Sequence, residues 1–370
     1  MNKTNILLIE GRRTIGGGQM MSRRICDALS VAYNVSVFLP NGQTPISRLL
    51  QDYVQFYYPF KEYNNGKKGI IDCFAFIYNW ICVFKSLRQV LDLNNVDVIY
   101  LQAPSLIPIV VCAVFKKKIK IIIHLHVVHV DKKVLRLLNF CFLSKKINKI
   151  IGVSDYTLRQ VSPKSFFKTE VLYNCIDYIG KRQLKQNDPQ KYIIAIVGDV
   201  MEAKGHQYLF EALKNIDIPI DLIVIGRILD ENFYKKLLDS VVGFNCCFTG
   251  YVNDVGMYLK NVDLVVIPSI LFETFSLSMV EAWGRGIPTI ASSLGGMEEL
   301  VNKFLPQYHN ELLFPAKDVT ALRNRIGLIL SDNYLYKEIS DAVYEISKMN
   351  FSSSCFQDNL IKIVQDIVLK

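Results

Sequence analysis

Two glutamates in one short stretch are the first candidates for chemistry. The segment PSILFETFSLSMVEAWGRGIP, residues 268–288, contains Glu273 and Glu281 with seven residues between them. Glu273 follows a Pro-Ser pair typical of a loop, and Glu281 lies in a pattern that predicts a helix. In a continuous helix, side chains eight residues apart point about 80° apart around the axis. The break before the helix predicts instead that the two carboxylates contact different parts of one ligand, such as a sugar hydroxyl and a ribose.

Glycines and a lysine follow two of the predicted strands. GGGQ, which includes Gly17 and Gly18, leads into the first predicted helix, and glycines at such a turn let a phosphate or sugar approach backbone N–H groups. The spacing is neither GxGxxG nor a P-loop, so a plain tight turn is the alternative. VGDVMEAKG places Gly198 at a strand end and Lys204 before a helix, where an ammonium can neutralise a diphosphate without a metal. A solvated lysine is the alternative there.

Three of the five histidines lie in HLHVVHV, as His124, His126 and His129. Alternation places His124 and His126 on the same face of a strand, with His126 at its carboxyl end. A zinc site would need further Cys, His or carboxylate ligands, and Asp131 is the one such residue close by in the sequence. The pattern therefore favours a hydrogen bond from His126 to a substrate hydroxyl or carbonyl, with a structural role as the alternative.

The elements that position these residues alternate along the chain. Continuous runs rich in Ile and Val, bounded by polar or Gly turns, are typical of buried parallel strands. Amphipathic segments between the runs predict helices, for example at 19–33, 205–215 and 318–331. The predicted strands are NILLIE (5–10), VSVFLP (35–40), VDVIYLQ (96–102), KIIIHLH (120–126), KIIGVS (149–154), YIIAIVGD (192–199), DLIVIG (221–226), NCCFTG (245–250), DLVVIPS (263–269) and PTIAS (288–292).

This alternation in both halves of 370 residues predicts an α/β protein of two Rossmann-like domains. Each domain would be a doubly wound parallel sheet, and the two would face a cleft. The polar stretch 178–190, which contains a proline, predicts the linker between residues 1–177 and residues 191–349. A last helix with a serine N-cap is predicted over 350–370.

The charge is uneven between the two halves. Residues 1–180 contain 24 Lys and Arg against 11 Asp and Glu, whereas residues 181–370 contain 19 against 23. A basic half predicts an anionic partner, either anionic lipid, nucleic acid or a phosphorylated substrate. A solvated lysine-rich surface is the alternative, and no basic–aromatic motif supports nucleic acid.

Composition also bears on location. Nine cysteines without a CxxC pair or metal spacing predict a reduced, cytoplasmic chain. The apolar run GIIDCFAFIYNWICVF, 69–84, is too short to cross a bilayer and contains Asp72 and Asn79, so it predicts a core helix or a membrane-docking helix. The aromatic stretch YVQFYYPFKEY, 53–63, favours peripheral contact with the inner face of an anionic cytoplasmic membrane.

The ordered set of segments resembles the family 4 retaining glycosyltransferases of the GT-B fold. The resemblance spans nearly the whole chain, and it is specific in the second domain and looser in the first. In chain order the matching segments are GGGQ, HLH, VLYNCID (171–177), VGDVMEAKG, IGR (225–227), FTGYV (248–252), the stretch 263–301 and NELLFPAKDVTALRNRI (310–326).

The resemblance implies roles for the candidate residues. Glu273 would bind sugar hydroxyls of a nucleotide-sugar donor, Glu281 its ribose and Lys204 its diphosphate. His126 would contact the transferred sugar near the reacting carbon, which makes His126 and Glu273 the catalytic pair. The first domain would bind the acceptor, the second the donor, and the final helix would pack back on the first. The implied donor-binding set is Gly17, Gly18, Gly198, Lys204, Arg227, Phe275, Ser276, Leu277 and Glu281.

The resemblance further implies that neither a metal nor another cofactor is required, because lysine and helix dipoles stabilise the leaving diphosphate. The configuration at the anomeric carbon would be retained through front-face attack. One departure matters: the family usually has Arg directly after the strand glycine, where this chain has Asp199. A carboxylate there would repel a diphosphate, so another cation is expected to replace the arginine, with Arg227, Arg12 and Arg13 as candidates and Arg227 favoured. Ser276 and Cys175 each replace a usual glycine.

The leading hypothesis is therefore a hexosyltransferase that moves a sugar from a nucleotide-diphosphate donor, with UDP favoured, to a glycan or lipid-linked glycan in bacterial surface polysaccharide synthesis. A nucleotide-sugar 2-epimerase on the same scaffold is an alternative, since fold alone does not decide function. A non-catalytic sugar-nucleotide-binding subunit, degraded at Asp199, is a third.

Overall fold

The computed structural model describes residues 3–14, 16–61, 70–129, 131–181 and 191–369. The chain divides into two compact units, Met1–Tyr173 with Phe356–Lys370, and Asn174–Cys355.

Parts of three sequence predictions fall outside the described residues. They are residues 182–190 of the predicted linker, residues 62 and 63 of the aromatic stretch, and residue 69 of the apolar run.

The first unit is built on a parallel sheet with strand order β3-β2-β1-β4-β5-β6-β7 among the described residues. Its inner strands are continuous apolar runs because helices cover both faces of the sheet. Ile6–Ile9 and Val98–Leu101, for example, are buried at every position. The strands are β1 (Asn5–Ile9), β2 (Asn34–Pro40), β3 (Val54–Tyr58), β4 (Val98–Leu101), β5 (Lys120–Leu125), β6 (Ile147–Gly152) and β7 (Thr169–Val171).

Helices connect these strands and supply the rest of the core of the first unit. Among the described residues, three of them begin at side-chain caps: Thr44 accepts from the Ser47 amide, Asp131 from the amides of Lys133 and Val134, and Ser154 from the Thr157 amide. The helices are α1 (Gly17–Ser30), α2 (Pro45–Leu49), α3 (Ile70–Leu93), α4 (Ile107–Ala113), α5 (Lys132–Phe142) and α6 (Asp155–Leu158).

The aromatic stretch 53–63, for which membrane contact is predicted, contains β3 within its described part. The Tyr58 ring is buried and packs against Phe38 with 4.8 Å between ring centroids. Phe56 and Phe60 also pack against the core. These three side chains therefore contribute to the core, whereas Tyr57 is 46% exposed.

The second unit repeats the architecture with strand order β10-β9-β8-β11-β12-β13. All its described strand pairs are parallel. The prediction of two doubly wound parallel sheets is confirmed. The strands are β8 (Tyr192–Val197), β9 (Ile220–Ile225), β10 (Asn245–Gly250), β11 (Leu264–Ile267), β12 (Thr289–Ser292) and β13 (Leu313–Phe314).

Helices of the second unit begin at aspartate caps in four cases among the described residues, Asp230, Asp254, Asp318 and Asp332. They are α7 (His206–Leu213), α8 (Glu231–Asp239), α9 (Val255–Leu259), α10 (Leu277–Trp283), α11 (Gly295–Phe304), α12 (His309–Leu312), α13 (Val319–Ser331) and α14 (Asn333–Asn350).

The last helix, α15 (Ser353–Val368), starts in the second unit and belongs to the first from Phe356 onward. Its apolar face, which includes Leu360 and Val364, is buried. Within the first unit, the Lys120 ammonium at the start of β5 donates to the Val368 carbonyl at 3.2 Å.

Candidate active site

Lys204 and Glu273 meet at the carboxyl edge of the second sheet. The Lys204 Nζ lies 2.6 Å from Glu273 Oε1, and the same oxygen accepts from Ser269 Oγ at 2.8 Å. The side chain of Glu273 is 17% exposed and that of Lys204 is 35% exposed. The carboxylate is thus fixed in direction by two donors while remaining accessible to a ligand.

The backbone brings these two side chains together from separate loops. Gly205, between a 3₁₀ turn (Glu202–Lys204) and α7, has a φ of 73°, and a Cβ there would lie 1.8 Å from the Pro268 carbonyl oxygen. The Ile270 amide also donates to the Ala203 carbonyl at 3.0 Å. Only glycine permits this approach, so the predicted Lys-Gly signal has a structural reason.

Glu281 lies in α10, in its fifth position, whereas Glu273 lies in the loop four residues before that helix. Ser276 is the N-cap, and its hydroxyl lies 3.2 Å from the Ser278 hydroxyl. The predicted donor-binding residues Phe275, Ser276 and Leu277 therefore span the start of α10. Phe275 packs edge-on against Phe351, with 6.0 Å between ring centroids, which fixes this loop on the core of the second unit.

Asp199 and Arg227 form a two-pronged ion pair at the ends of neighbouring strands. Arg227 Nη2 donates to Asp199 Oδ2 at 2.8 Å, and Nε donates to Oδ1 at 3.0 Å. The Asp199 carboxylate raises the pKa of the guanidinium. The side chains are 28% and 48% exposed respectively, so the pair is open to solvent on one side. The structure thus places the favoured substitute cation directly against the residue that departs from the family pattern.

Close backbone packing explains why these two residues are neighbours. The Gly198 amide donates to the Ile225 carbonyl, and the Val200 amide donates to the Arg227 carbonyl. A Cβ on Gly226 would lie 2.0 Å from the Gly198 carbonyl oxygen, so the two strand ends touch through backbone atoms. A Cβ on Gly198 would lie 3.6 Å from the Lys204 side chain. Asp199 is thus the residue next to a glycine that packs on Lys204.

His126 lies at the carboxyl end of β5 in the first unit. Its Nε2 accepts a 3.0 Å hydrogen bond from the Gln102 amide, which leaves the ring proton on Nδ1. His124 is fully buried, bonds to the Tyr100 hydroxyl at 2.8 Å and lies 4.2 Å from His126 between ring centroids. Burial lowers the pKa of His126 to about 4, so the ring is neutral at pH 7 and acts as a hydrogen-bond donor.

The glycine turn lies beside this histidine. Gly17 is the first residue of α1 and is exposed, and a Cβ on Gly18 would lie 3.9 Å from the His126 Cβ. Within the first unit, His126, Gly17 and Gly18 therefore occupy one place, as predicted residues of a common site should. Lys204, Arg227 and the two glutamates belong to the second unit.

Glu10, at the end of β1, was missed by the sequence reasoning. Its buried carboxylate accepts from the amides of Gly11 and Arg12 at 2.8 and 3.0 Å, and from Ser22 Oγ at 2.9 Å. Burial raises the pKa of the carboxyl. These bonds tie the start of the glycine-containing turn to α1. An acidic residue directly after a buried strand was the available signal.

Two kinds of feature are absent from the described residues. No three His, Cys, Asp or Glu side chains in that part of the chain come together in a group that could bind a metal ion. Of the helices it contains, none has the length and hydropathy needed to cross a bilayer.

Comparison with known proteins gives consistent matches. A family profile described as "Glycosyl transferases group 1" matches residues 180–346. Staphylococcus aureus Protein CapJ is 30% identical over 192 residues, which cover 48% of this chain and 47% of CapJ. The Escherichia coli UDP-Gal:alpha-D-GlcNAc-diphosphoundecaprenol alpha-1,3-galactosyltransferase is 29% identical over 160 residues, 41% of this chain and 39% of that protein. The alignments thus span less than half the length of either relative.

The fold comparison covers the chain more fully. The crystal structure of Anabaena HepE in complex with UDP and glucose superposes with a TM-score of 0.78 at 18% identity, covering 98% of this chain and all of that one. The chain therefore has the GT-B fold. Residues 180–346 match the glycosyl transferases group 1 family, in agreement with the resemblance seen in the sequence.

Proposed function

We propose that this protein is a retaining glycosyltransferase that moves a hexose from a nucleotide-diphosphate donor to a glycan or lipid-linked glycan. The observation that carries the proposal is the cluster of Lys204, Glu273 and Ser269 at the carboxyl edge of the second sheet. Such edges are where doubly wound sheets bind ligands. The match of residues 180–346 to the glycosyl transferases group 1 family supports the reaction class.

Each group in the cluster suits one part of a sugar nucleotide. The Lys204 ammonium suits the diphosphate, and the Glu273 carboxylate suits sugar hydroxyls, which are hydrogen-bond donors. Glu281, one and a half turns into α10, suits the ribose. The loop Phe275–Leu277 would pass beside the donor between the two glutamates.

Arg227 supplies a second cation near the diphosphate in this proposal. Its guanidinium presents five donors in a planar fork, and Asp199 occupies only part of that fork. The remaining N–H groups are available to phosphate oxygens, which prefer arginine for this reason. The Asp199 carboxylate then acts as a holder of Arg227 instead of a repelling charge.

In the first unit, His126 acts as a neutral donor toward the transferred sugar. Its Nδ1 proton is directed by the Gln102 bond at Nε2. The adjacent Gly17 and Gly18 leave room for the diphosphate near the start of α1. The acceptor is proposed to bind to this unit.

The reaction breaks the bond between the anomeric carbon and the diphosphate oxygen. The acceptor hydroxyl forms the new bond on the same face, and its proton passes to the departing phosphate oxygen. Lys204 and Arg227 stabilise the charge that develops on the diphosphate, so no metal or other cofactor is required. In this front-face reaction Glu273 binds sugar hydroxyls and is not the nucleophile.

Two finer points rest on relatives. UDP is the proposed nucleotide because the E. coli relative is a UDP-galactose enzyme and HepE binds UDP. A lipid-linked glycan acceptor, and a place in surface polysaccharide synthesis at the inner face of the cytoplasmic membrane, follow the diphosphoundecaprenol substrate that the same relative's name records.

The test is a panel of nucleotide sugars, with binding and hydrolysis measured for the wild type, Glu281→Ala and the control Glu345→Ala. Glu345 is exposed on α14. We expect one donor to bind the wild type and the control, and to lose about 1.5–3 kcal/mol of binding in Glu281→Ala, since a hydrogen bond to a charged group is lost. A donor converted to its 2-epimer without an acceptor would favour the epimerase, and a donor that binds but is neither hydrolysed nor transferred would favour the non-catalytic binding subunit.

A further inference from the structure

Helices α3, α4 and α5 cover one face of the first sheet. The connections β3–α3–β4, β4–α4–β5 and β5–α5–β6 all advance in the same direction across the sheet, so right-handed crossovers place the three helices on one side. α3 packs on α4 and α4 on α5. Arg88 of α3 also donates to the Ala113 carbonyl of α4 at 2.9 Å. The outer sides of these helices form one surface, here named the α3–α5 face.

The outward side of α3 is apolar in its N-terminal half. Val83 and Leu87 point into the core and are buried, as an amphipathic helix requires. Phe74, Ile77 and Ile81 lie on the opposite side and are 68%, 54% and 46% exposed. This i, i+3, i+7 spacing forms a stripe where a helix facing only water carries polar residues. α3 is therefore a core helix on one side and carries an exposed apolar stripe on the other.

α5 repeats the arrangement. Leu138 and Phe142 are buried, whereas Leu137 and Phe140 point away from them and are 53% and 74% exposed, and Val134, at the edge of the buried side, is 40% exposed. Exposed apolar stripes on two helices of one surface exceed the scattered apolar residues of an ordinary protein surface, and such patches mark interaction sites.

The same elements are strongly basic. Residues 70–149 contain twelve Lys and Arg against four Asp. Two of the aspartates are engaged within the fold: Asp92 pairs with Lys117 at 2.6 Å, and Asp131 caps α5. The exposed cations of α3, α5 and the segments that follow α4 and α5 are Lys85, Lys116, Lys118, Lys132, Lys133, Arg136 and Lys145.

The position of the stripes relates them to the candidate site. α3 and α5 begin at the carboxyl edge of the sheet, and Phe74, Ile77, Val134 and Leu137 lie in their N-terminal halves. His126 follows β5 at that same edge. A molecular surface that binds to the N-terminal ends of α3 and α5 would therefore lie near the edge of the sheet that carries His126.

We propose that the α3–α5 face docks on the surface of an anionic lipid bilayer, with the apolar stripes entering the headgroup boundary and the cations binding lipid phosphates. Apolar side chains beside lysines on one helix face are the combination that binds such interfaces. A second copy of the chain is disfavoured, because a two-fold contact would press two equally basic faces together. The inference rests on the proposed function only for the reason to dock, which is a lipid-linked acceptor.

The test is cosedimentation of the full chain with vesicles of phosphatidylcholine, with and without phosphatidylglycerol. We expect binding to the anionic vesicles and little to the neutral ones. The basic variant Lys132→Gln, Lys133→Gln, Arg136→Gln should bind about 100-fold more weakly, at about 1 kcal/mol for each cation removed. The apolar variant, with three bulky side chains removed, should also dissociate: Phe74→Ser, Ile77→Ser, Ile81→Ser.

A matched control removes three exposed apolar side chains from the second unit, Val242→Ser, Tyr334→Ser and Met349→Ser, which are 57%, 73% and 62% exposed. The control should bind vesicles as the wild type does. All variants should keep the wild-type affinity for UDP, measured by calorimetry without vesicles, because none touches the donor residues. This readout also shows that each variant is folded.

Three results would overturn the docking proposal. The first is no binding of the wild type to anionic vesicles. The second is that the basic and apolar variants bind these vesicles as strongly as the wild type does. The third is a wild-type dimer in light scattering that the apolar substitutions convert to a monomer. The last result would assign the face to a second copy. If the wild type binds vesicles but no nucleotide sugar, the proposed function fails and the docking face stands.

Discussion

Replacing Arg227 and Asp199 singly and together shows how a diphosphate site tolerates a carboxylate. The wild-type pair is held by two hydrogen bonds of 2.8 and 3.0 Å. If Arg227 binds the diphosphate and Asp199 orients it, the effect of removing Asp199 must depend on whether Arg227 is present. The variants are Arg227→Ala, Asp199→Ala and the double replacement.

The expected magnitudes differ in size and in sign. Arg227→Ala removes a charged hydrogen-bond donor, which costs about 1.5–3 kcal/mol, or about 10- to 100-fold in the dissociation constant. Asp199→Ala in the wild type removes only the orienting pair, which contributes about 0.2–1 kcal/mol at this exposure, or up to about fivefold. In the Arg227→Ala background the bare carboxylate repels the diphosphate, so Asp199→Ala should tighten binding by up to about fivefold, as expected for about 1 kcal/mol between exposed charges.

The assay is calorimetric binding of UDP and of uridine to the full chain. UDP should follow the pattern above, whereas uridine, which has no phosphate, should bind all variants equally. Lys235→Ala is the charge control, because Lys235 is exposed on α8. UDP that binds Asp199→Ala more tightly than the wild type would refute the reasoning. That result would mean that Asp199 withdraws Arg227 from the ligand.

Two further predictions concern folding. Gly205→Ala should lower the free energy of unfolding, measured by urea denaturation, by about 3 kcal/mol or more, because the new Cβ would lie 1.8 Å from the Pro268 oxygen at a φ of 73°. The control Gly327→Ala places its Cβ in open space in α13 and should raise the free energy of unfolding by up to about 1 kcal/mol. Equal effects of the two substitutions would contradict this account. The pKa of His126 is lowered to about 4 by burial, so the unfolded chain gains this proton first as the pH falls below about 6.5. Stability should then decline toward pH 5 by up to about 2 kcal/mol from this residue, and His126→Gln should show a shallower decline; an unchanged slope would show that His126 does not contribute.

The sheets could be predicted from the sequence because buried parallel strands are continuous apolar runs. β3 (Val54–Tyr58) could not, since an edge strand exposes Val54 and Tyr57 and its run of aromatic residues looks like a surface. β7 and β13 have three and two residues, too few to carry a pattern. A continuous apolar run identifies a strand that is buried on both faces, and it does not show which strands pair.

Single site residues could be predicted where they follow the end of a predicted strand. The contacts between them could not, because those contacts depend on strand register and backbone packing. Lys204 and Glu273 were recognised separately, but their contact depends on the approach of Gly205 to Pro268. Asp199 appeared as a conflict with the family pattern, for which Arg227 was the favoured replacement cation. The direct ion pair between Asp199 and Arg227 depends on the pairing of β8 with β9, and no local sequence pattern gives the register of that pairing.

The Lys204–Glu273 contact leads to a last prediction. In the chain without donor, each group satisfies the other, so neither charge is left unpaired at a partly buried position. Donor binding would replace the carboxylate at Lys204 by the diphosphate, and the ammonium at Glu273 by sugar hydroxyls. Glu273→Gln removes the competitor for Lys204, so UDP should bind up to about fivefold more tightly, as expected for about 1 kcal/mol.

The same variant should lose turnover. A glutamine side chain accepts hydrogen bonds from sugar hydroxyls more weakly than a carboxylate does. If the sugar is displaced by about 1 Å as a result, the rate of transfer can fall by about 100-fold. Tighter UDP binding together with slower sugar transfer is an outcome that neither a general loss of folding nor a purely structural Glu273 would produce. Weaker UDP binding in Glu273→Gln would instead show that the ion pair orients Lys204 for the diphosphate, and the exchange of partners would be wrong.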